Sequence, residues 1–308
     1  MDKLNFPFLN FNKAKSKVGL DVGSSSVKAA GLTAQKSGGF QLDYFSIQPI
    51  EGEHSKDKIA DAIKKAVEAS PSKTQKAVIS VSGQSVVVRQ VLFPAMTDEE
   101  LRSAITFEAE KYIPFNISEV YLDAQIIDKK TADNKIKVLI VAAKKELVDE
   151  HLALLNEAGL EAEAIDCDSV AVTNAFIFSD PGLTKEKTVA LINIGASMTN
   201  ICILKNEILN FVRDIPIEPK NLENLETQTR LSFDYYENQF GKGIDGIYVS
   251  GGGSKEAGIL ERFSQAFGIE SQVWDPAKNL VISPKVNGQA LKESASQMAV
   301  CLGLAMRR

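Results

Sequence analysis

The sequence is poor in the residues that build disulfides and zinc sites: its 308 residues include three cysteines and two histidines. Cys167, Cys202 and Cys301 are isolated from one another, and each lies in an apolar stretch. An odd number of isolated cysteines in apolar surroundings predicts buried thiols, with neither a disulfide framework nor a zinc site. We therefore expect a protein of the reducing cytoplasm.

Long hydrophobic runs are also missing. No stretch of 18 or more apolar residues occurs, so no segment is expected to cross a bilayer. The first residues, MDKLNFPFLNFNKAKSK, lack the continuous apolar region of a signal peptide. Residues 1–16 are predicted to form a flexible tail, although their mixture of Leu, Phe and Lys is also compatible with a membrane surface or a partner's groove.

An excess of positive charge is absent as well. Lys and Arg number 35 against 40 Asp and Glu, which gives a formal net charge of −5. Nucleic-acid binding requires a basic field that this composition does not supply, so we expect no nucleic-acid partner. With 44% hydrophobic residues, the chain has enough apolar material for a substantial core in two halves.

The most informative stretch that the sequence does contain is VGLDVGSSSVKAAGL, residues 18–32. Apolar residues alternate with small or polar ones on both sides of a Gly-Ser-Ser-Ser turn, which predicts a β-hairpin. The amides and hydroxyls of such a turn suit a phosphate group. Asp21 ends the first strand, where its carboxylate would hold a hydrated Mg²⁺.

The same pattern recurs in LINIGASMTNICIL, residues 191–204, which lies 172 positions further along (21 to 193). Asn193 takes the place of Asp21, and Gly195 takes the place of Gly23. Two copies of one element predict two related halves that face each other.

A third glycine cluster, SGGGS at 250–254, follows the apolar strand 247–249. It is predicted to open a helix from Ser254 to Phe267. A helix N-terminus attracts anions, and glycines without side chains let a ribose or a flat ring lie against the backbone.

Between the two hairpins the pattern changes at Pro94. The capping-box sequence TDEE at 97–100 opens a helix, and two strands with a polar turn at 131–134 follow. A second helix ends at Gly159. We therefore predict an inserted α+β unit at about 91–160.

The segment after this unit returns to the first half. Residues 161–166 are predicted to form a strand, and Asp168 to cap a helix that runs to Phe178. Asp166 has two interpretations: a residue of the helix entry, or a carboxylate that positions an attacking water. The last helix, 294–306, is rich in small side chains, which is typical of close helix packing.

Together these motifs resemble those of the actin, Hsp70 and sugar-kinase superfamily of ATP-binding proteins. Within it they are most similar to the PilM family of cytoplasmic type IV pilus assembly proteins, which is related to FtsA. The residues that carry the resemblance are LDVGSSSVK at 20–28, NIGASMTNICIL at 193–204, FVRDIPI at 211–217, VSGGGS at 249–254 and MAVCLGLAMR at 298–307.

The resemblance implies an α/β fold, namely a duplicated, ribonuclease H-like actin fold. An α+β subdomain is inserted in the first half, and the fourth subdomain is shortened. The expected parts are the tail at 1–16, a first half at 17–187 and a second half at 188–308 that includes the C-terminal linking helix.

The resemblance further implies ATP and Mg²⁺ between the halves, with phosphates on the two turns and the nucleoside on the third glycine cluster. The implied catalytic residues are Asp21, which would hold Mg²⁺ through water, and Asp166. No histidine is expected to take part, because His54 and His151 lie in surface-type helix patterns. The implied cofactor contacts are Gly23, Ser24, Ser25, Ser26, Lys28, Asn193, Gly195, Ala196, Ser197, Thr199, Gly251, Gly252, Gly253 and Ser254.

Two departures from the family pattern matter for activity. Asn193 stands where the family usually has Asp, which removes a negative charge beside the metal. The segment between Pro216 and Ile247 is short, so that one helix at about 222–237 replaces the several helices that close over the adenine in relatives. We expect hydrolysis to suffer more than nucleotide binding.

The function implied is that of a nucleotide-binding adaptor of a type IV pilus or related type II secretion platform. Its partner would be the N-terminal peptide of a PilN-like inner-membrane protein, with the contact at strand 86–93 and helix 97–112. Other platform proteins are further expected partners, and the chain would be peripheral to the cytoplasmic face of the inner membrane. The alternatives are an ATPase or small-molecule kinase of the same superfamily, and an FtsA-like cell-division protein.

Overall fold

The computed structural model describes residues 17–36, 38–52, 55–71, 74–129 and 134–307. The predicted tail and residues 131–133 of the predicted turn lie outside the described residues. The strands are β1 (Lys17–Val22), β2 (Ser26–Ala34), β3 (Phe40–Pro49), β4 (Lys76–Val81), β5 (Val86–Pro94), β6 (Val120–Asp128), β7 (Lys135–Lys144), β8 (Glu161–Cys167), β9 (Val189–Ile194), β10 (Thr199–Lys205), β11 (Ile208–Ile215), β12 (Gly246–Ser250), β13 (Ser271–Val273) and β14 (Val281–Ile282). The helices are α1 (Lys56–Glu68), α2 (Asp98–Glu108), α3 (Lys145–Glu157), α4 (Asp168–Ser179), α5 (Leu183–Glu186), α6 (Leu222–Phe240), α7 (Ile259–Phe267), α8 (Gly288–Ser294) and α9 (Ala299–Ala305).

The first sheet contains the first predicted hairpin. Its order is β14-β3-β2-β1-β4-β8, in which β1, β2 and β3 form an antiparallel meander and β4 and β8 add in parallel. Leu20 of β1 and Ile79 of β4 are fully buried against Ile63 of α1. Alternating apolar residues in the sequence thus supply the face on which the helix packs.

The second sheet repeats this arrangement around the second hairpin. Its order is β11-β10-β9-β12-β13, again an antiparallel meander of three strands followed by two parallel strands. Asp21 is paired with Lys28 in the first hairpin, and Asn193 is paired with Asn200 at the same place in the second. The sequence repeat is therefore a repeat of strand order and of register.

A third, smaller sheet has the antiparallel order β5-β7-β6. Helix α2 packs on one face of it, with Leu101 and Ile105 among its buried side chains. The predicted capping box is present, since Glu100 accepts from the Thr97 amide at 2.7 Å and donates its own amide to Thr97 Oγ1 at 3.2 Å.

Helix α3, which the sequence analysis included in the inserted unit, packs chiefly on the first sheet and also contacts Ala143 of β7. Its buried residues Val148 and Leu155 belong to the apolar cluster of the first sheet. The strand Val86–Pro94, by contrast, belongs to the small sheet. The small sheet with α2 therefore spans 86–144, because the apolar stripe of α3 faces the first sheet.

Helices α4 and α9 lie between the two large sheets and share one apolar cluster with β2 and β9. A Cβ atom placed on Gly303 of α9 would collide with the carbonyl of Ala171 in α4. The close packing predicted for the small residues of 294–306 is therefore present. The predicted single helix is divided, because α8 ends at Ser294 and a 3₁₀ turn at Ala295–Met298 precedes α9.

Two further helices differ from expectation. The third glycine cluster opens a 3₁₀ turn (Gly252–Lys255), and α7 begins only after Gly258, whose φ is 80°. The helix α6 extends to Phe240 and ends at Gly241, which adopts the left-handed conformation typical of a C-cap. Across the described residues, no helix combines the length and the apolar character needed to cross a membrane.

Candidate functional site

The turns of the two repeated hairpins meet in the structure. In each turn a glycine amide donates to the carbonyl three residues ahead, at 3.1 Å for Gly23 and 2.8 Å for Gly195. The hydroxyl of Ser197 donates to Oγ of Ser24 at 2.8 Å. A cavity of about 210 Å³ lies between the two turns. The duplicated elements therefore face one common space.

The cavity collects most of the residues that the sequence assigned to the cofactor. Those that line it are Asp21, Gly23, Ser24, Ser25, Lys28, Asn193, Gly195, Ala196, Ser197, Gly251 and Gly252. The predicted residues that do not line it are Ser26, Asp166, Thr199, Gly253 and Ser254.

Asp166 lies outside the cavity and is 3% exposed. Its carboxylate accepts from the amide of Cys167 at 2.8 Å and from Arg307 at 3.3 Å. Burial raises the pKa of Asp166, and the Arg307 guanidinium opposes that rise. Asp166 is thus an ion-pair partner of Arg307 at the entry to α4, and it does not line the cavity.

Ser26 and Thr199 each begin the second strand of their hairpin. Ser26 is paired with Pro49 in the ladder between β2 and β3. Thr199 is fully buried, and its hydroxyl has no hydrogen-bond partner among the described residues. Neither side chain lines the cavity.

The third glycine cluster contributes only its first half to the cavity. Gly251 has a φ of 84°, and a Cβ there would collide with the carbonyl of Ile194, so only glycine fits. Gly252 is open, with no atom within 4 Å of a Cβ position. Gly253 packs against the Ile194 side chain, and Ser254 Oγ donates to the Gly251 carbonyl at 2.7 Å. The flat, side-chain-free surface expected for a nucleoside therefore reduces to Gly251 and Gly252.

Asp21 and Lys28 form an ion pair across the first hairpin, with Nζ 3.0 Å from Oδ2. Burial acts to lower the pKa of Lys28, but the charge and the hydrogen bond of Asp21 outweigh it, so that this pKa is raised. The equivalent pair in the second hairpin is neutral: Asn193 Nδ2 donates to Asn200 Oδ1 at 2.9 Å. The two walls of the cavity therefore have the same geometry and different charge.

A second carboxylate lines the cavity, and the sequence analysis assigned it to helix capping. Asp168 is the first residue of α4, and its Oδ1 accepts from Ser80 Oγ at 2.6 Å. Burial, and then the negative charge of Asp21, raise the pKa of Asp168 to about 7, whereas hydrogen bonds from Ser80 and Ser82 lower it. Both effects favour the protonated form of Asp168 over the carboxylate.

His151 also lines the cavity, although it was expected to take no part. Its Nδ1 lies 2.9 Å from the carbonyl of Leu147, one turn earlier in α3. In the sequence, His151 falls on the polar face of α3, which predicts a solvent-exposed side chain. The sequence pattern alone does not show that this face borders the cavity. His54 lies outside the described residues.

The sequence that builds this site matches a known protein family. The family described as type IV pilus assembly protein PilM matches residues 19–224 and 217–308. The chain belongs to the PilM family. The resemblance inferred from the five motifs is therefore confirmed.

Solved structures share the fold of this PilM-family chain. A PilM-PilN type IV pilus biogenesis complex gives a TM-score of 0.83 at 22% identity, covering 96% of this chain and 99% of the other. The ethanolamine utilization protein EutJ from Carboxydothermus hydrogenoformans gives 0.51 at 12% identity over 97% and 92%. A Bacteroides thetaiotaomicron protein with an actin-like ATPase fold gives 0.51 at 13% over 89% and 96%. These similarities confirm the predicted actin-like fold.

The oxygen ligands that line the cavity suit a metal ion that is also coordinated by a phosphate group. No cluster of three or more His, Cys, Asp and Glu side chains that could hold a metal is found within the described parts of the chain. Asp21 and Asp168 supply two carboxylates on one side. Mg²⁺ requires six oxygens and is commonly bound by one or two carboxylates together with phosphates and waters. Asp21 and Asp168 therefore fit a Mg²⁺ ion whose other ligands include a phosphate group.

A second, larger space of about 540 Å³ lies between the small sheet and the second sheet. We call it the β5–β11 groove, since residues 86–90 of β5 and 209–214 of β11 line it together with Leu231 and Tyr235 of α6. Both β5 and β11 are edge strands of their sheets. The groove includes part of the predicted contact strand 86–93, and its opposite wall, formed by β11 and α6, belongs to the second half.

Proposed function

We propose that this chain is an actin-like adaptor that binds ATP with Mg²⁺ in the cavity and a PilN-like peptide in the β5–β11 groove. The observation that carries the proposal is the contact between Ser24 and Ser197, because it brings both duplicated turns to one cavity. Membership of the PilM family supports the type IV pilus setting. Attachment to the cytoplasmic face of the inner membrane would then come through the partner.

Each wall of the cavity has a distinct role in this proposal. The first turn, at Gly23 to Ser25, would bind the β-phosphate, and the second turn, at Gly195 to Ser197, would bind the γ-phosphate. Gly251 and Gly252 would lie against the nucleoside. Asp21 would orient the waters of Mg²⁺, which neutralises phosphate charge. Backbone amides in tight turns form anion-binding concavities without a competing side chain.

The size of the cavity bears on how a nucleotide enters. Its 210 Å³ falls below the roughly 300–1,000 Å³ of pockets that bury a small organic ligand. The two turns must therefore move apart before a triphosphate fits between them. Binding and separation of the turns are then one event, which is the behaviour that an adaptor needs.

The chemistry of the site favours binding over turnover. Phosphoryl transfer relies on positioning and on stabilising negative charge. The second hairpin presents the neutral pair Asn193 and Asn200 to the cavity, so it adds no carboxylate to organise Mg²⁺. We therefore expect slow hydrolysis at most.

The proposed partner site is the β5–β11 groove. An edge strand leaves backbone N–H and C=O groups open to an added strand. The groove offers two such edges, together with Leu231 and Tyr235, which are 50% and 52% exposed. A solved relative of the same fold is a complex between PilM and PilN. An extended, partly apolar peptide fits this combination of edges and apolar side chains.

Calorimetric titration with ATP and MgCl₂ tests the cavity. We expect saturable binding by the unmodified chain, at least tenfold weaker binding by Asp21→Ala, and unchanged binding by Asp57→Ala, whose side chain is exposed on α1. Absence of saturable heat in the unmodified chain, with or without Mg²⁺, would rule out the nucleotide part of the proposal.

Titration with a synthetic peptide, the N-terminal cytoplasmic residues of a PilN-like protein, tests the groove. Tyr235→Ala should weaken binding at least fivefold, because Tyr235 lines the groove. Phe107→Ala is the matched control: Phe107 is 76% exposed on α2, the helix that the sequence analysis named as a contact. A loss of binding in Phe107→Ala alone would move the site to α2.

An ATPase is the second candidate function, and Asp168 is the observation that favours it. A buried carboxylate with a pKa of about 7 beside two phosphate-type turns has the properties of a general base. Steady phosphate release from ATP that Asp168→Asn abolishes, with ATP affinity retained, would establish this activity.

A further inference from the structure

The two turns of the cavity keep open hydrogen-bond donors. Within the described residues, no acceptor is found for the backbone amides of four turn residues: Ser24, Ser25, Ala196 and Ser197. All four residues line the cavity and are exposed. Successive amides in tight turns bind anions, so phosphate oxygens find donors on both sides of the cavity.

Most of the polar side chains on the cavity walls, by contrast, already bind one another. Four pairs do so: Ser24 with Ser197, Asp21 with Lys28, Ser80 with Asp168, and Asn193 with Asn200. Strong selection of a base requires buried polar groups that stay unpaired unless that base is bound. These side chains are paired without any ligand, so they impose no such requirement.

The side of the cavity that would face a nucleoside is built from few groups. Beside Gly251 and Gly252, this region contributes Gln297 and Val300 to the wall. Gln297 lies in the 3₁₀ turn whose Ser296 carbonyl accepts from the Gly251 amide at 2.7 Å. Its carboxamide is partly exposed and has both donors and an acceptor, so it can bond to adenine or to guanine. This side therefore offers a purine a contact that does not depend on which purine it is.

A base also finds neither a stacking surface nor a cover. Among the described residues that line the cavity there is no Phe, Tyr or Trp on which a base could stack. In the same part of the chain, α6 and α7 contribute no residue to the wall. Their apolar side chains, such as Leu225 and Phe263, pack with Ile192 in the cluster of the second sheet. A base attached to a phosphate chain in the cavity would therefore project into solvent.

We propose that the cavity binds the Mg²⁺ complex of a phosphate chain and does not select the base, so that ATP, GTP and inorganic tripolyphosphate are equivalent ligands. This rests on the proposed function, from which it takes the cavity and the metal. It adds the chemical class of the ligand, which is the phosphate chain and not adenosine. The open amides of the two turns, together with Mg²⁺, provide the affinity.

Calorimetric titrations of the unmodified chain with ATP, GTP, sodium tripolyphosphate and adenosine, each with MgCl₂, test base independence. The dissociation constants of the first three should agree within about fivefold, whereas a site that pairs with one base rejects an analogue by roughly 10⁴-fold. Adenosine should give no saturable heat, because it lacks the phosphate chain.

Two variants locate the affinity within the cavity. Ser25→Ala removes a hydroxyl of the first turn, and it should weaken ATP, GTP and tripolyphosphate by one common factor of about threefold or more. Ser103→Ala is the matched control, because Ser103 is exposed on α2 and does not line the cavity. Gln297→Ala should change the affinities for ATP and GTP by equal factors.

The outcomes separate base independence from the proposed function. If ATP binds more than about tenfold more tightly than GTP or tripolyphosphate, or if Gln297→Ala weakens ATP alone, base independence is disproved and the proposed function stands. If neither ATP nor tripolyphosphate gives saturable heat, the nucleotide part of the proposed function fails, and base independence fails with it.

Discussion

At the scale of single residues, Asp168 makes the stability of the fold depend on pH. Its pKa in the folded chain is about 7, above the ordinary 3.8, because burial and the charge of Asp21 disfavour the carboxylate. The folded state therefore binds this proton more tightly than the unfolded state does. The stabilisation is fully present below about pH 4 and is lost as the pH rises to 7.

Replacing Asp168 by Asn removes this titration and keeps an acceptor for Ser80. As the pH increases from 4 to 7, the equilibrium constant for unfolding of the unmodified chain should rise relative to that of Asp168→Asn. The rise should be up to roughly tenfold per pH unit. Urea unfolding at pH 5 and pH 8 measures the difference. Asp57→Asn, at an exposed position of α1, should follow the unmodified chain. Equal pH dependence in Asp168→Asn and the unmodified chain would contradict the raised pKa.

The same residue shows where sequence reasoning ends. Asp21 and Asn193 were found because alternation along a strand and a repeated register define which way a side chain points. Asp166 and Asp168 lie at the junction of β8 with α4, where the period changes from two to 3.6. Which of two nearby carboxylates faces the cavity then depends on the path of the backbone. Local pattern does not encode that path, so Asp166 was chosen and Asp168 was missed.

At the scale of elements, the first hairpin depends on its ion pair. The side chains of Asp21 and Lys28 are 13% and 14% exposed, so removing one partner leaves a poorly solvated charge. Lys28→Asn should destabilise the fold by roughly 3–5 kcal/mol. The double variant with Asp21→Asn reproduces the neutral pair of the second hairpin and should recover most of that loss. Urea unfolding of the four proteins forms the cycle, and additive losses would argue against coupling of the pair.

The contact between α9 and α4 is a second prediction at this scale. Alanine at Gly303 would place its methyl group against the carbonyl of Ala171, and a rigid helix backbone cannot give way easily. We expect Gly303→Ala to cost roughly 1–3 kcal/mol or more. Gly288→Ala, at the start of α8 with no atom within 4 Å, should leave stability unchanged or increase it. Equal melting temperatures for the two variants would contradict this packing.

At the scale of the whole molecule, the fold was predictable because it is repeated. Two hairpins in the same register predicted two similar sheets, and five strands of the first sheet, β3-β2-β1-β4-β8, have the same order as the five strands of the second. Contacts between segments that are far apart in the sequence were harder to predict. The β5–β11 groove pairs an edge of the small sheet with an edge of the second sheet, and no local motif marks two strands that lie 122 positions apart (86 to 208). The hydrogen bond from the Gly83 amide to Asp214 also joins residues that are far apart in the sequence, so no local motif predicts it.

The contact between the two halves at Ser24 and Ser197 can be tested with a disulfide. Because the hydroxyls of Ser24 and Ser197 are 2.8 Å apart, cysteines at both positions should form a disulfide on oxidation. The three native cysteines are buried and should not compete. The crosslink holds the turns together at a cavity of 210 Å³, which is too small for a triphosphate with its nucleoside. The oxidised Ser24→Cys, Ser197→Cys protein should therefore lose ATP binding in the calorimeter, and reduction should restore it.

Each single variant, oxidised in the same way, should keep its affinity for ATP. An oxidised double variant that still binds ATP would show that a nucleotide enters without separation of the turns.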